Sequence, residues 1–198
     1  MSLLPKFDNY NEEGRCDSGY ETIQDFFLSW TLRCSPDNYL EANSKVQEYA
    51  RRMIYILICG DNNSGSYCIY KAVPDNFRVK EVKTKRRLND IDLIAEVVVL
   101  ENGSENKYLL NIENKWYSGL RAGQLKKYSD FIVTRYPTWN IINLFITCDD
   151  CRKYYDDEKE QCKLNNYKYL TVADLSSISN IENDGPTGNA LFDEYWFG

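Results

Sequence analysis

The stretch from residue 91 to 116 constrains the fold more than any other part of the chain. Its two halves, IDLIAEVVVL at 91–100 and KYLLNIENKW at 107–116, are rich in β-branched and aliphatic residues, which is strand composition. Asn102-Gly103 lies between them and is the best short hairpin signal in the chain, because a two-residue type I′ turn needs positive φ at both positions. Side chains alternate faces along a strand, so Glu113 and Lys115 project the same way. If Asn102-Gly103 is the whole loop, Glu101 pairs with Ser104, Asp92 falls directly across from Glu113, and Asp90 falls across from Lys115. Opposed residues have Cβ atoms about 4.5–5.5 Å apart, close enough for two carboxylates to hold one divalent cation. A longer ENGSEN loop would set Asp92 opposite Lys115 and keep the same face; a slip by one residue would destroy the grouping.

Periodicity predicts the flanking elements. Residues 20–34 carry Ile23, Phe26, Phe27, Trp30 and Cys34 at helical spacing before Pro36 breaks the run. A second helix, capped by Asp37 or Asn38, runs through Val46, Tyr49, Ala50, Met53, Ile54 and Leu57 to a stop at Gly60. SYCIYKAV and NFRVKEVKT read as short strands separated by Pro74 and Asp75. Residues 119–135 are helical by Leu125, Tyr128, Phe131 and Ile132, and WNIINLFITC at 139–148 is a strand apolar on both faces, hence central. An acidic loop, DDCRKYYDDEKE, then leads to a short strand near Tyr167–Leu170 and a helix near Val172–Ser179. The expectation is one domain over 1–198, with its core at about 20–175 and an acidic tail from 176 to 198 that has no Lys or Arg and avoids nucleic acid.

Composition narrows the chemistry. No histidine is present, so Ser-His-Asp and Cys-His catalysis and imidazole-based zinc sites are excluded; carboxylates, lysine, tyrosine and cysteine remain. The start, MSLLPKFDNYNEEG, lacks a basic segment followed by an apolar one, and the longest apolar runs fall short of a bilayer span, so the expectation is a soluble cytoplasmic protein. Seven cysteines without a tight framework suit a reducing compartment.

Asp92, Glu113 and Lys115 interrupt otherwise apolar strands, where an unpartnered carboxylate is expensive. A bound metal explains that cost; so does a lysine bridging the acids at a frayed sheet end, and spacing alone leaves the two readings even. The same residues carry a family resemblance. Asp92-Leu93-Ile94, followed after the hairpin by Glu113-Asn114-Lys115, resembles the signature of the PD-(D/E)XK nuclease superfamily; the Glu-x-Lys is matched in full, and the Pro-Asp is replaced by Asn89-Asp90-Ile91-Asp92, with Asp90 in reserve for Asp92. Gln124 and Tyr128 resemble the Gln-x-x-x-Tyr helix of many such nucleases, and Glu21, ahead of Leu28 and Trp30, resembles a first-helix acid in a group of uncharacterised bacterial members. The resemblance implies a restriction-endonuclease-like α/β (α+β) fold, a central mixed sheet of about four to five strands flanked by helices, two of them N-terminal.

It also implies Mg²⁺, with Mn²⁺ as a substitute, on Asp92 and Glu113, water attack on a DNA phosphodiester, and Lys115 orienting that water or neutralising phosphoryl charge. Glu21 would be a third acid, and Gln124 and Tyr128 would position substrate or simply pack. Six basic residues against one acid between Arg78 and Arg87 offer a phosphate patch, with Lys83, Lys85, Arg86 and Arg87 nearest the motif; Arg121, Lys126 and Lys127 extend it. Edge-strand protection by lysine is the plain alternative for that patch. The same fold could instead serve as a non-catalytic nucleic-acid or protein-binding module. A redox or regulatory domain built on a metal at Cys148, Cys151 and Cys162, with Cys34 or Cys16 as a fourth ligand, is the weaker rival. A homodimer or a separate partner subunit stays open, since no coiled-coil seam is present.

Overall fold

The computed structural model describes residues 3–6, 19–60, 73–116, 119–147, 156–177 and 185–198. Its sheet grows from the expected hairpin. β2 (Ile91–Glu101) and β3 (Ser104–Lys115) pair antiparallel with Glu101 against Ser104, and Asn102 and Gly103 take φ of 51° and 79°, the left-handed pair of a type I′ turn. A second tight turn joins β1 (Phe77–Leu88) to β2 through Asn89 and Asp90, at φ 54° and 67°; Asn and Asp are the residues other than glycine that tolerate this region best. β4 (Asn140–Thr147) and β5 (Tyr167–Thr171) add in parallel beyond β3, giving the order β1-β2-β3-β4-β5. α3 (Gln124–Arg135) and α4 (Asp156–Leu164) lie in the two parallel crossovers. The result is the mixed five-stranded sheet with flanking helices of a restriction-endonuclease-like fold.

Two helical layers enclose this sheet. On one face α1 (Tyr20–Arg33) and α2 (Ser44–Cys59) pack over Leu93, Ala95, Val97, Leu110, Ile112, Leu144 and Ile146. On the other, Tyr128 and Ile132 of α3 meet Ile94 and Leu109, and Leu125 and Cys162 meet Phe145. The α2 stripe from Val46 to Leu57 is buried as its spacing predicts, but the helix begins later than Asp37 or Asn38. Those two residues enter a 3₁₀ turn, and Asn43 is the cap, accepting a hydrogen bond from the Val46 N–H at 3.1 Å.

Three stretches, α1, the acidic loop and the C-terminal tail, depart from expectation. In α1 Trp30 and Cys34 are buried as expected, but Ile23 points outward and Phe26 and Phe27 are half-buried while Gln24, Asp25, Leu28, Ser29 and Leu32 turn inward, so the N-terminal half is rolled toward its polar residues. The second half of the expected acidic loop forms α4, whose first turn holds Asp156, Asp157 and Glu158, a placement the helix dipole favours. The helix expected after β5 is present as α5 (Val172–Ser176), opened by a reciprocal cap between Thr171 and Asp174. The expected tail carries α6 (Ala190–Phe197), capped by Asn189, with Phe192 and Trp196 buried in the main core. The Phe192 ring meets Trp30 and Tyr49 edge to face, at 5.8 and 5.2 Å between centroids. The SYCIYKAV strand lies almost wholly outside the described residues. No described helix is long and apolar enough to cross a membrane.

Because Phe192 is fully buried, Phe192→Ala is expected to destabilise the chain by about 3–5 kcal/mol, the cost of a large core cavity. Chemical denaturation measures this; a change near zero would restore the C-terminal stretch to a dispensable tail.

Candidate active site

The hairpin register decides which polar groups meet. Leu93 pairs with Ile112, so the next step of the ladder carries Asp92 beside Glu113 on the face covered by α3. The two carboxyl groups lie within hydrogen-bonding reach of each other. Lys115 Nζ sits 2.5 Å from Glu113 Oε1 and 4.0 Å from Asp92 Oδ2. All three are nearly enclosed, with Glu113 only 1% exposed and the other two 8%. Asp90 is elsewhere: it lies in the exposed β1-β2 turn and pairs with Lys127 at 3.2 Å. The lysine therefore bridges both acids, yet the group is deep in the sheet and not frayed into water.

Burial dominates the electrostatics. Loss of water, then the neighbouring Asp92, pushes the Glu113 carboxyl far above the usual range. Asp92 is raised by the same desolvation, against the pull of Lys115 and of the Asn114 N–H, which donates to Oδ2 at 2.9 Å. Burial alone would lower Lys115, but Glu113, Asp92 and Glu21 together outweigh it and keep the ammonium charged. Both carboxyls are thus biased toward their protonated forms, a bias that a bound divalent cation would oppose.

α3 reaches down onto this pair. Gln124 Nε2 lies 2.6 Å from Glu113 Oε1 and 3.1 Å from the Tyr128 hydroxyl, which donates to the Asp90 carbonyl at 3.0 Å. The i, i+4 spacing accounts for both contacts: it stacks Gln124 and Tyr128 on one helical face. Tyr128 is at once a core residue and a support for Gln124. On the opposite side of the sheet, Glu21 accepts the Trp116 N–H at 3.0 Å, just beyond Lys115. Sequence reasoning missed Gln24, Asp25 and Asn114, which interlock behind the motif: Asn114 Nδ2 donates to Asp25, and its Oδ1 accepts from Gln24 at 3.0 Å. The signal was present, since Glu21, Gln24, Asp25 and Leu28 follow i, i+3, i+4, i+7 spacing.

The expected phosphate patch divides. Lys83, Lys85, Lys126 and Lys127 are at or near the surface in ion pairs with Glu81, Glu96, Asp130 and Asp90. Arg87 and Arg121 are exposed, and the Arg87 charge reaches Asp92. Arg86 does not belong with them. It is buried, its guanidinium 3.8 Å from the Phe26 ring centroid and 3.9 Å from Asp25, because its strand position points to the α1 face. Of the cysteines, Cys148, Cys151 and Cys16 lie outside the described residues. Cys34 and Cys162 are buried in separate cores on opposite faces of the sheet, which removes the cluster that would have joined them.

The donor set fits a hard cation with a water-rich shell. Glu113 Oε2 is buried and meets no hydrogen-bond donor, a free carboxylate oxygen beside a second carboxylate. Among the described residues no three His, Cys, Asp or Glu side chains converge into a full protein cage. Mg²⁺ is typically held by one or two carboxylates plus waters and substrate phosphate, so Asp92 and Glu113 suffice for it.

A family model described as the PD-(D/E)XK nuclease superfamily matches residues 30–196. The match includes Asp92, Glu113, Lys115, Gln124 and Tyr128 and begins after Glu21. No curated protein and no solved structure matches the chain.

The titration of this pair has a sign. Burial and the neighbouring Asp92 push the Glu113 carboxyl well above its ordinary 4.5, so its bound proton stabilises the metal-free chain at low pH and that contribution is lost as pH rises through the raised value. Cation binding needs the ionised pair. Mn²⁺ is therefore expected to raise the melting temperature more at about pH 8.5 than at about pH 6.5, and Glu113→Gln to remove that difference. Differential scanning fluorimetry at the two pH values checks it.

Proposed function

The chain belongs to the PD-(D/E)XK nuclease superfamily, and we propose that it is a metal-dependent nuclease that hydrolyses phosphodiester bonds in DNA. One observation carries this reading: two carboxyl groups and a lysine, buried together where apolar side chains would pack more cheaply. Asp92 and Glu113 would hold Mg²⁺, or Mn²⁺ in its place. Bound there, the cation supplies a Lewis acid for the scissile phosphate and lowers the pKa of a coordinated water.

The remaining work belongs to the chain. Gln124 and the Asn114 N–H hold Glu113 and Asp92 in position, so the ligands need little reorganisation when the site is loaded. Lys115 stays protonated beside three acids, so it acts as a hydrogen-bond donor and positive charge for the phosphoryl oxygens and not as the base that takes the water proton. Lys83, Lys85, Arg87, Arg121, Lys126 and Lys127 would meet the flanking phosphates. Surface ion pairs are worth at most about 1 kcal/mol, so the lysines can exchange their carboxylate partners for phosphate at small cost.

Supercoiled plasmid, single-stranded DNA and RNA, each with Mg²⁺, Mn²⁺ or EDTA, test the proposal on wild type and Lys115→Ala together. The expected result is metal-dependent DNA cleavage that the variant loses by about 10²-fold or more, the usual cost of removing a group that stabilises transition-state charge. Cleavage of RNA alone would reassign the substrate. Salt-sensitive DNA binding with no cleavage by wild type would favour the non-catalytic module.

A further inference from the structure

Asn114 stands between Glu113 and Lys115 and faces the other side of the sheet, into the layer where Leu110 and Ile112 join the apolar core. An aliphatic residue would suit that position better, yet an amide occupies it with no exposed surface. We propose that Asn114, clamped by Gln24 and Asp25 of α1, is a positioning residue that sets Asp92 and Lys115 from behind the sheet; this rests on the nuclease reading for its consequence in catalysis.

The contacts run through one residue. Behind the sheet, the Asn114 side chain donates to Asp25 and accepts from Gln24 at 3.0 Å. Within the strand, its backbone N–H donates to Asp92 Oδ2 at 2.9 Å, and its carbonyl accepts from Lys115 Nζ at 3.1 Å. The two peptide planes that flank the Asn114 Cα each hold one site residue, so a shift of this residue would release both together. α1 prevents it with further bonds on either side. Gln24 also accepts from the Trp116 indole N–H, Glu21 accepts the Trp116 backbone N–H at 3.0 Å, and Asp25 faces Arg86, which is held over Phe26. The Asn114 amide has both a donor and an acceptor bond behind the sheet, so another arrangement of this side chain would leave one of them without its partner.

The test uses the full chain. Asn114→Val removes both side-chain bonds, keeps the backbone and suits a strand. Ser29→Ala serves as the control, since Ser29 Oγ bonds Thr84 Oγ1 of β1 at 2.9 Å across the same α1 layer. In Asn114→Val, folded by circular dichroism, exchange of the residue 114 amide proton read by NMR is expected to quicken tenfold or more. Mn²⁺ affinity is expected to fall by about 10- to 100-fold, as when groups orienting metal ligands are removed, and kcat to fall with KM for DNA unchanged. Ser29→Ala is expected to lower stability alone. Unchanged exchange at residue 114, or Mn²⁺ affinity and kcat that follow stability equally in both variants, would overturn the proposal. If wild type neither binds Mn²⁺ nor cleaves, the nuclease reading fails, and the exchange measurement alone decides the clamp.

Discussion

Everything near the centre of this sheet answers to the burial of Glu113 beside Asp92. Two acids in an apolar sheet repel, and each resists ionising away from water. Lys115 offsets part of that cost by bridging them, while Gln124 and the Asn114 N–H offset more by directed hydrogen bonds. Such a group persists only where its surroundings hold it rigidly. That requirement explains why α3 presents Gln124 and Tyr128 to one face and α1 presents Gln24 and Asp25 to the other.

The sheet thereby carries two kinds of interface. Toward Val97, Val99, Met53 and Leu57 the packing is apolar, interchangeable in detail and responsible for cohesion. Toward the ends of β2 and β3 it becomes polar, with Asp25, Arg86, Asn114 and Thr84 all buried. Asp25 shows the expense: burial first, then Asp92 across the sheet, raises its carboxyl to about 8, against the Asn114 bond and Arg86. Apolar residues there would serve stability at least as well, so the polar seam is understood as specificity of geometry around the site.

The hairpin and the shared face of its site residues were legible because three local signals agreed: strand composition, the Asn102-Gly103 turn, and the period-two alternation; the structure then chose the two-residue turn over the longer loop. The roll of α1 was not legible by hydrophobic spacing. Ile23, Phe26 and Phe27 outweigh Gln24 and Asp25 in any apolar count, and only partners ninety residues away, such as Asn114, make the polar stripe the inward one. Arg86 was misjudged for a related reason. In a run of basic residues, sequence shows charge but not which alternate position faces a helix. The stretch that holds α6 was read as an acidic tail outside the core, whereas Phe192 and Trp196 supply part of the main core.

By itself the sequence determined the hairpin, and hence that Asp92, Glu113 and Lys115 share a face in either register it allowed, because side chains alternate along paired strands. It also carried the Glu-x-Lys and Gln-x-x-x-Tyr spacings that place the chain in its superfamily. Only the tertiary structure decided that Asp90 pairs with Lys127 of α3, that Gln124 grips the Glu113 carboxylate, and that Asn114 links the site to α1. Those outcomes depend on how helices distant in sequence settle onto the sheet. Burial, which sets both the cost of a charge and the strength of its partners, exists only once they have done so.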